Sequence, residues 1–134
     1  TKEAKKALFN AELIIIAPSN PLVSIKPILE IPGFKSIIRK NNKRVIAVSP
    51  LIQGKAVKGP ATKMLEQLGF KPNSFSCMQM YNDICKTFIL DMSDIGLEKQ
   101  FISLNQKPFF TDTLMTNLAD KRRLAKFIIN QPID

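Results

Sequence analysis

The apolar run Leu13-Ile14-Ile15-Ile16, which ends in the polar turn Ala17-Pro18-Ser19-Asn20-Pro21, is the feature that most constrains the fold. A short β-branched run without polar residues is typical of a strand buried on both faces of a parallel sheet. The turn then lies at the carboxyl edge of the sheet, where such sheets bind ligands. Asn20 is suited to cap a helical turn that begins at Pro21. We expect the exposed amides of that turn and the Ser24 hydroxyl to form an anion site, with an ordinary strand-to-helix turn as the alternative.

The remainder of the chain alternates between strand and helix patterns. Strands are predicted over 13–17, 44–48, 87–90 and 107–111, and helices over 2–10, 34–40, 74–82, 97–104 and 117–130, with a further helix from Pro60 to Gly69. This alternation predicts an α/β fold built on a parallel sheet. Because the chain opens within a helix pattern and not before a first strand, we expect residues 1–134 to be the C-terminal part of a single larger α/β domain.

Composition restricts the chemistry that this chain can perform. The 134 residues are 45% hydrophobic, which is typical of a globular domain, and no apolar stretch reaches the roughly 18 residues of a membrane span. Histidine is absent, which excludes histidine bases and His-containing catalytic triads. Cys77 and Cys85 do not have the spacing of metal ligands, so free thiols and a cytoplasmic location are expected.

The net charge of +9 favours an anionic ligand, either a phosphorylated metabolite or a nucleic acid. The aromatic residues are nine Phe, one Tyr and no Trp, and most Phe residues lie within apolar patterns where a core role is expected. This distribution argues against a platform that stacks single-stranded bases. A basic nucleic-acid-binding α/β module therefore remains as an alternative.

Three polar segments follow predicted strands and are expected to meet at one edge of the sheet. The first is the turn at Ser19 and Asn20. The second, residues 49–60, combines glycines, two lysines and the start of a helix, which suits a phosphate group, although its spacing is not that of a Walker loop and a solvated basic loop is the alternative. In the third, residues 110–115, Asp112 suits a substrate hydroxyl or a water-bound magnesium ion, with a turn cap as the alternative.

Other polar residues have simpler interpretations. Asp91 and Asp94 follow the third predicted strand, and both are expected to cap turns. Lys121-Arg122-Arg123 is expected to form a solvated helix face.

Taken in order along the chain, these motifs resemble the signature of the 2-phospho-L-lactate transferase family. The match spans the whole chain from the first strand to the last helix. It rests on Pro18-Ser19-Asn20-Pro21, Ser24-Ile25, Pro27-Ile28-Leu29, Pro32-Gly33, Val48-Ser49-Pro50, Gly54-Lys55-Ala56-Val57-Lys58-Gly59-Pro60-Ala61, Lys63-Met64, Tyr81 with Asp83, the strand ending at Asp91, and Asp112-Thr113-Leu114-Met115.

The resemblance implies a Rossmann-like three-layer fold with helices on both faces of a parallel sheet. It also implies a magnesium-dependent transferase, acting as a cytoplasmic homodimer in biosynthesis of the deazaflavin coenzyme F-420. Such an enzyme moves a 2-phospholactyl or phosphoenolpyruvyl group from a guanosine-diphosphate-activated donor to the deazaflavin Fo and releases GMP. The family's nucleotide loop and acidic metal-binding residues belong to the N-terminal half, so this part alone is expected to be inactive.

Carried over residue by residue, the resemblance implies a set of donor-phosphate or pocket residues, without a catalytic base or metal ligand: Ser19, Asn20, Ser24, Lys55, Lys58, Gly59, Asp112 and Thr113. Lys26 and Gln53 stand where the family often has glycine, and their bulk beside the expected pocket is predicted to affect donor preference. A nucleotide-sugar-binding regulator without catalytic activity, built on the same architecture, is the alternative to the transferase.

Overall fold

A four-stranded parallel sheet organises the structure, a computed structural model that describes residues 1–57 and 59–132. Strands β1 (Ile14–Ile16), β2 (Val45–Val48), β5 (Thr87–Asp91) and β6 (Lys107–Thr111) lie side by side in chain order, and β3 (Leu51–Ile52) and β4 (Lys55–Ala56) form a separate antiparallel hairpin. The register pairs Ile16 with Ala47, Val48 with Ile89, and Asp91 with Thr111. The loops that follow β1, β2 and β6 therefore leave the sheet at the same edge.

Helices cover both faces of the sheet. They are α1 (Lys2–Asn10), α2 (Lys26–Leu29), α3 (Phe34–Lys40), α4 (Ala61–Gln67), α5 (Ser74–Gln79), α6 (Glu98–Ser103) and α7 (Leu118–Ile129), with a wide helical turn at Pro21–Ile25 and 3₁₀ turns at Asn42–Arg44 and Met92–Leu97. Among the described residues, none of these helices combines the length and the apolar character needed to traverse a bilayer.

The two central strands, β2 and β5, are buried along their full length, as expected of apolar strands covered on both faces. Alternate residues enter two different cores. Val45 and Ala47 join the larger cluster beneath α3, α4, α5 and α6, whereas Ile46 and Val48 pack against Leu124 and Ile128 of α7. The predicted α/β class, with a parallel sheet between two helical layers, is therefore confirmed.

One part of the sequence-based description is wrong. Residues 49–59 were expected to be a loop, and β3 and β4 form a hairpin within them. Its two turn residues, Gln53 and Gly54, have φ values of 50° and 72°. Two successive positive φ values match the right-handed twist of the flanking strands, which is the conformation that tight hairpins favour.

Candidate anion-binding site

A cavity of about 440 Å³ lies at the carboxyl edge of the sheet, where the loops after β1, β2 and β6 meet. This volume is within the range of pockets that bind small molecules. Its walls combine hydroxyls with apolar surface, and its described lining holds one charged side chain, Lys121: Pro18, Ser19, Asn20, Val23, Ser24, Ser49, Pro50, Val57, Gly59, Pro60, Ala61, Thr113, Leu114, Met115 and Lys121.

Asn20 organises the first wall. Its side-chain oxygen accepts hydrogen bonds from the amides of Leu22 at 2.9 Å and Val23 at 3.3 Å, so the predicted cap is present. The Ser24 and Ile25 amides donate to the Asn20 carbonyl. The expectation that these amides are exposed to an anion is therefore wrong, because the cap and the turn already use them.

The hydroxyls of the first wall are available to a ligand. Ser19 and Ser24 both line the cavity, and neither hydroxyl makes a hydrogen bond to any of the described residues. Each hydroxyl is able to donate one hydrogen bond to a ligand oxygen and to accept another. On this wall the hydroxyls, and not the amides of residues 22–25, are available for anion recognition.

The second wall is the segment that leads into α4. Gly59 has φ = 79°, and a Cβ added there would meet nothing within 4 Å, so the backbone conformation and not crowding accounts for glycine. Helix α4 starts after Pro60 without a side-chain cap. The first amides of α4 thus have no side-chain acceptor at their cap, and Pro60 and Ala61 line the cavity.

A buried hydrogen-bond network holds the chain where β2 leads into this wall. The Ser49 hydroxyl donates to that of Ser74 at 3.1 Å, and Ser74 donates to the Asp94 carboxylate at 2.6 Å. All three residues are buried. Asp94 was expected to cap a turn and instead accepts this buried hydroxyl, so that expectation is wrong. The network links the cavity wall at Ser49 to α5 and to the turn after β5.

Thr113 lies on the third wall of the cavity and is held there by hydrogen bonds to Asp91. One oxygen of the Asp91 carboxylate accepts from the Thr113 amide at 3.1 Å and from its hydroxyl at 3.2 Å, while the other caps the turn at Ser93. Burial tends to raise the pKa of Asp91, but the hydrogen bonds from Ser93 and Thr113 outweigh it and lower that pKa. The capping role predicted for Asp91 is confirmed. Because the Thr113 hydroxyl proton is already used, Thr113 offers a ligand only its oxygen.

The Arg123 side chain holds the loop between β6 and α7 in place. Its guanidinium donates to the carbonyls of Asp112 at 2.8 Å and Leu114 at 3.0 Å. The same group forms ion pairs with the carboxylates of Asp112 at 2.9 Å and Asp120 at 3.5 Å. Hydrogen bonds from Thr116, with a smaller contribution from the Arg123 charge, lower the pKa of Asp120. Arg123 therefore fixes the loop that carries Thr113, Leu114 and Met115 into the cavity.

The helix face at Lys121–Arg123 is solvated in part, as predicted: Lys121 and Arg122 are exposed, whereas Arg123 is half-buried. The Arg123 guanidinium is bound to the loop between β6 and α7, and Lys121 lines the cavity. The Lys121 ammonium makes no ion pair or hydrogen bond with any residue of the described ranges. Sequence reasoning missed this residue because a lysine between charged neighbours on a helix has the pattern of a solvated position.

Not every residue selected from the sequence reaches the cavity. Ser19, Asn20, Ser24, Gly59 and Thr113 line it, whereas Lys55 lines a neighbouring cavity of about 640 Å³ and Asp112 is held by Arg123. Lys58 lies outside the described residues.

The two departures from the family pattern also lie elsewhere. Gln53 occupies the hairpin turn, in a positive-φ conformation that glycine favours, and Lys26 lines a separate cavity of about 490 Å³ behind Pro21. Since neither residue lines the cavity at the carboxyl edge of the sheet, their predicted effect on donor preference has no support in its geometry.

The carboxylates near the cavity do not fit a magnesium site. Those of Asp91 and Asp112 already accept hydrogen bonds or ion pairs from protein groups. Within residues 1–57 and 59–132, no three His, Cys, Asp or Glu side chains are grouped so as to hold a metal ion. What the cavity offers is two free hydroxyls, one ammonium group and apolar walls, which suits a small molecule with an anionic part.

The family model and the curated relatives that this chain matches carry the same description. Residues 1–126 match the family model described as 2-phospho-L-lactate transferase CofD. The chain is 36% identical over 124 residues to the 2-phospho-L-lactate transferase of Methanosarcina barkeri and 37% identical over 128 residues to that of Methanocaldococcus jannaschii. These alignments cover 92% and 96% of the chain but 40% of each relative. The chain thus spans about two fifths of the length of the curated relatives it matches.

Proposed function

Because the chain belongs to the 2-phospho-L-lactate transferase CofD family, we propose that the protein containing it transfers a 2-phospholactyl or phosphoenolpyruvyl group to the deazaflavin Fo. The donor is the corresponding guanosine-diphosphate-activated acid, and GMP is released. The terminal ribityl hydroxyl of Fo forms a new P–O bond to the phosphorus next to the acid. The P–O bond that links this phosphorus to GMP breaks, and the hydroxyl proton is lost. The reaction is a step in biosynthesis of coenzyme F-420.

The cavity at the carboxyl edge is the observation that carries this proposal. Phosphoryl-type transfer demands little covalent chemistry from a protein; it requires alignment of the attacking hydroxyl and stabilisation of charge on the phosphate oxygens. The free Ser19 and Ser24 hydroxyls are suited to donate to a phosphate oxygen. Apolar contacts from Val57, Leu114 and Met115 are suited to the rest of the donor.

Magnesium, the homodimer and the cytoplasmic location are further parts of the proposal, and their support is the family resemblance. The described carboxylates do not form a metal site. We propose that magnesium is held by residues other than those described. Bound magnesium would supply positive charge to the phosphate oxygens.

The test is turnover by the full-length protein. The protein is incubated with Fo, magnesium and either the phospholactyl or the phosphoenolpyruvyl guanosine-diphosphate donor, and products are identified by mass spectrometry. The expected result is the phosphodiester of Fo together with an equal amount of GMP. No product with either donor would refute the transferase proposal. Donor binding without turnover would favour the nucleotide-conjugate-binding regulator, and salt-sensitive binding of RNA or DNA would favour the nucleic-acid module.

A matched pair of serine variants tests the assignment of the cavity. Ser24→Ala removes a hydroxyl that faces the ligand, and kcat/KM should fall about 10-fold to 100-fold, the range for a hydrogen bond to a charged group. Ser36→Ala is the control, since its hydroxyl bonds the Gly33 carbonyl on an exposed part of α3. Equal kinetics for the two variants would remove the first wall from the active site.

A further inference from the structure

Among the described residues that line the cavity at the carboxyl edge of the sheet, Lys121 is the one with a charged side chain. It lies on α7, far along the chain from the motifs of the first two walls. We infer that Lys121 binds the anionic part of the ligand and is a determinant of affinity for phosphate-containing donors. This inference rests on the proposed function, because it assigns a role within the same cavity. Nothing in the pattern of residues 117–130 distinguishes Lys121 from its charged neighbours; its place in the fold does.

The distribution of charge around α7 supports this role. The nearest acidic residues in the chain, Asp112 and Asp120, are both engaged by the Arg123 guanidinium. Asp120 also accepts hydrogen bonds from the amide and the hydroxyl of Thr116. Both acidic groups are thus engaged by protein donors other than Lys121, and the Lys121 charge is left without a partner among the described residues. An uncompensated ammonium group beside a cavity without lining acids attracts anions.

The contacts of Arg123 also fix the position of the α7 backbone at Lys121 relative to the third wall. Arg123 ties α7 to the carbonyls of Asp112 and Leu114, and Asp91 holds Thr113 from the sheet side. The start of α7 and the loop before it are therefore joined at several points. A flexible side chain on a fixed backbone loses less entropy on binding than one on a mobile loop. Arg123 is accordingly a positioning residue, and Lys121 the group that contacts the ligand.

Lysine is chemically suited to this task. Its ammonium group is a compact point charge with three donors, which is able to bind phosphate oxygens without a strict orientation. Ser19 and Ser24, on the first wall of the same cavity, supply neutral donors. Together these groups match a phosphate or diphosphate whose charge is shared between the two walls.

The experiment measures binding of defined probes to the full-length protein by isothermal titration calorimetry. GDP and inorganic pyrophosphate are titrated at about 50 mM and about 300 mM salt, where Debye screening differs by more than twofold. Lys121→Gln removes the charge and keeps much of the length, Lys121→Arg keeps the charge, and Arg122→Gln removes a neighbouring exposed charge of α7 that does not line the cavity.

We expect Lys121→Gln to weaken the affinity for both probes about 10-fold at low salt and by less at high salt, as for a lost charge-assisted hydrogen bond. Lys121→Arg should restore most of the affinity, and Arg122→Gln should stay within about twofold of the parent protein. Unchanged affinity of Lys121→Gln, an equal loss for Arg122→Gln, or a salt-independent loss that arginine does not restore would each overturn the inference. Failure of both probes to bind the parent protein would overturn it as well.

Failure of the proposed function gives a different result. If the full-length protein binds GDP in a Lys121-dependent manner but forms no product from Fo, the transferase proposal fails and the role of Lys121 stands. If Fo is converted and the turnover and probe binding of Lys121→Gln equal those of the parent, the transferase proposal stands and the role of Lys121 fails.

Discussion

Replacing Asp91 with asparagine should destabilise the protein far more than the small chemical change suggests. One oxygen of the Asp91 carboxylate accepts from the amide and the hydroxyl of Thr113, and the other accepts from Ser93. Asp91 is 8% exposed, so water does not readily replace a lost acceptor. Asparagine has a single oxygen, and whichever way its amide turns, its NH₂ group faces donors on one side.

The magnitude follows from those lost acceptors. A buried donor left without an acceptor costs about 1–3 kcal/mol, and a hydrogen bond to a charged group is stronger than one to a neutral amide. Depending on how the amide turns, the buried donors of Thr113 or the part-buried donors of Ser93 lose their acceptor, and the remaining bonds lose their charge assistance. We therefore expect Asp91→Asn to lower the free energy of unfolding by about 2–4 kcal/mol.

Asp112→Asn is the matched control for this prediction. It makes the same chemical change at a carboxylate whose side chain is 63% exposed and paired with Arg123. An exposed ion pair contributes about 0–1 kcal/mol, so Asp112→Asn should have a small effect. Both variants are compared in the full-length protein by urea unfolding monitored with circular dichroism, since a shift in midpoint without a change in slope reports stability.

The pH dependence provides a second measurement of the same carboxylate. The pKa of Asp91 is lowered in the folded protein, so its stabilising contribution is complete above the ordinary pKa of an aspartate. That contribution is lost as the pH falls through the folded-state pKa, where the carboxylate takes up a proton. The stability difference between the parent protein and Asp91→Asn should therefore shrink at the acidic end of the titration. Equal destabilisation by Asp91→Asn and Asp112→Asn at neutral pH would refute this account of Asp91.

Two further predictions concern the backbone and the thiols. Gly54→Ala should destabilise the protein more than Gly69→Ala in urea unfolding: both glycines have φ above 70°, but a Cβ at Gly54 would lie 2.6 Å from the Pro72 carbonyl oxygen and one at Gly69 would meet nothing within 4 Å. We expect about 1 kcal/mol for Gly69→Ala and more for Gly54→Ala, so equal losses would contradict the close contact at Pro72. Burial raises the pKa of the Cys77 and Cys85 thiols to about 12, so neither should react with iodoacetamide at pH 8 until the protein is unfolded. Rapid alkylation of the folded protein, detected by mass spectrometry, would contradict their burial.

Much of the fold was predictable because its signals are local. The apolar residues of β2 and β5 mark strands buried on both faces. The apolar run of β1 correctly predicted a strand, but its burial on both faces was wrong, because Ile15 is 44% exposed. Asn20 and Asn117 cap the turn and the helix that follow them. Capping depends on residues two or three positions apart, and burial on both faces gives a run without polar residues. Neither signal requires knowledge of the distant parts of the chain.

The hairpin between β2 and α4 and the network around Asp94 were not predictable in the same way. Two-residue strands are too short to show a periodic pattern. The positive φ of Gln53 is not predictable from its residue type, because such angles favour glycine. Asp94 follows a strand as a capping residue would, yet its carboxylate accepts from Ser74, which is 20 residues away in the chain. The partner of such a buried polar group is set by the packing of distant elements.

The amino-acid sequence alone determined the order of the four parallel strands and the helices between them, and with it the edge of the sheet where the three polar loops gather. Hydrophobic periodicity and capping carry that information from neighbour to neighbour. Only the tertiary structure decided which charges face the cavity: it engaged Asp112 with Arg123 and placed Lys121 in the cavity lining. Neighbouring lysine and arginine residues on a helix cannot be told apart by sequence pattern. Arg123 differs from Lys121 because it contacts the loop that precedes α7.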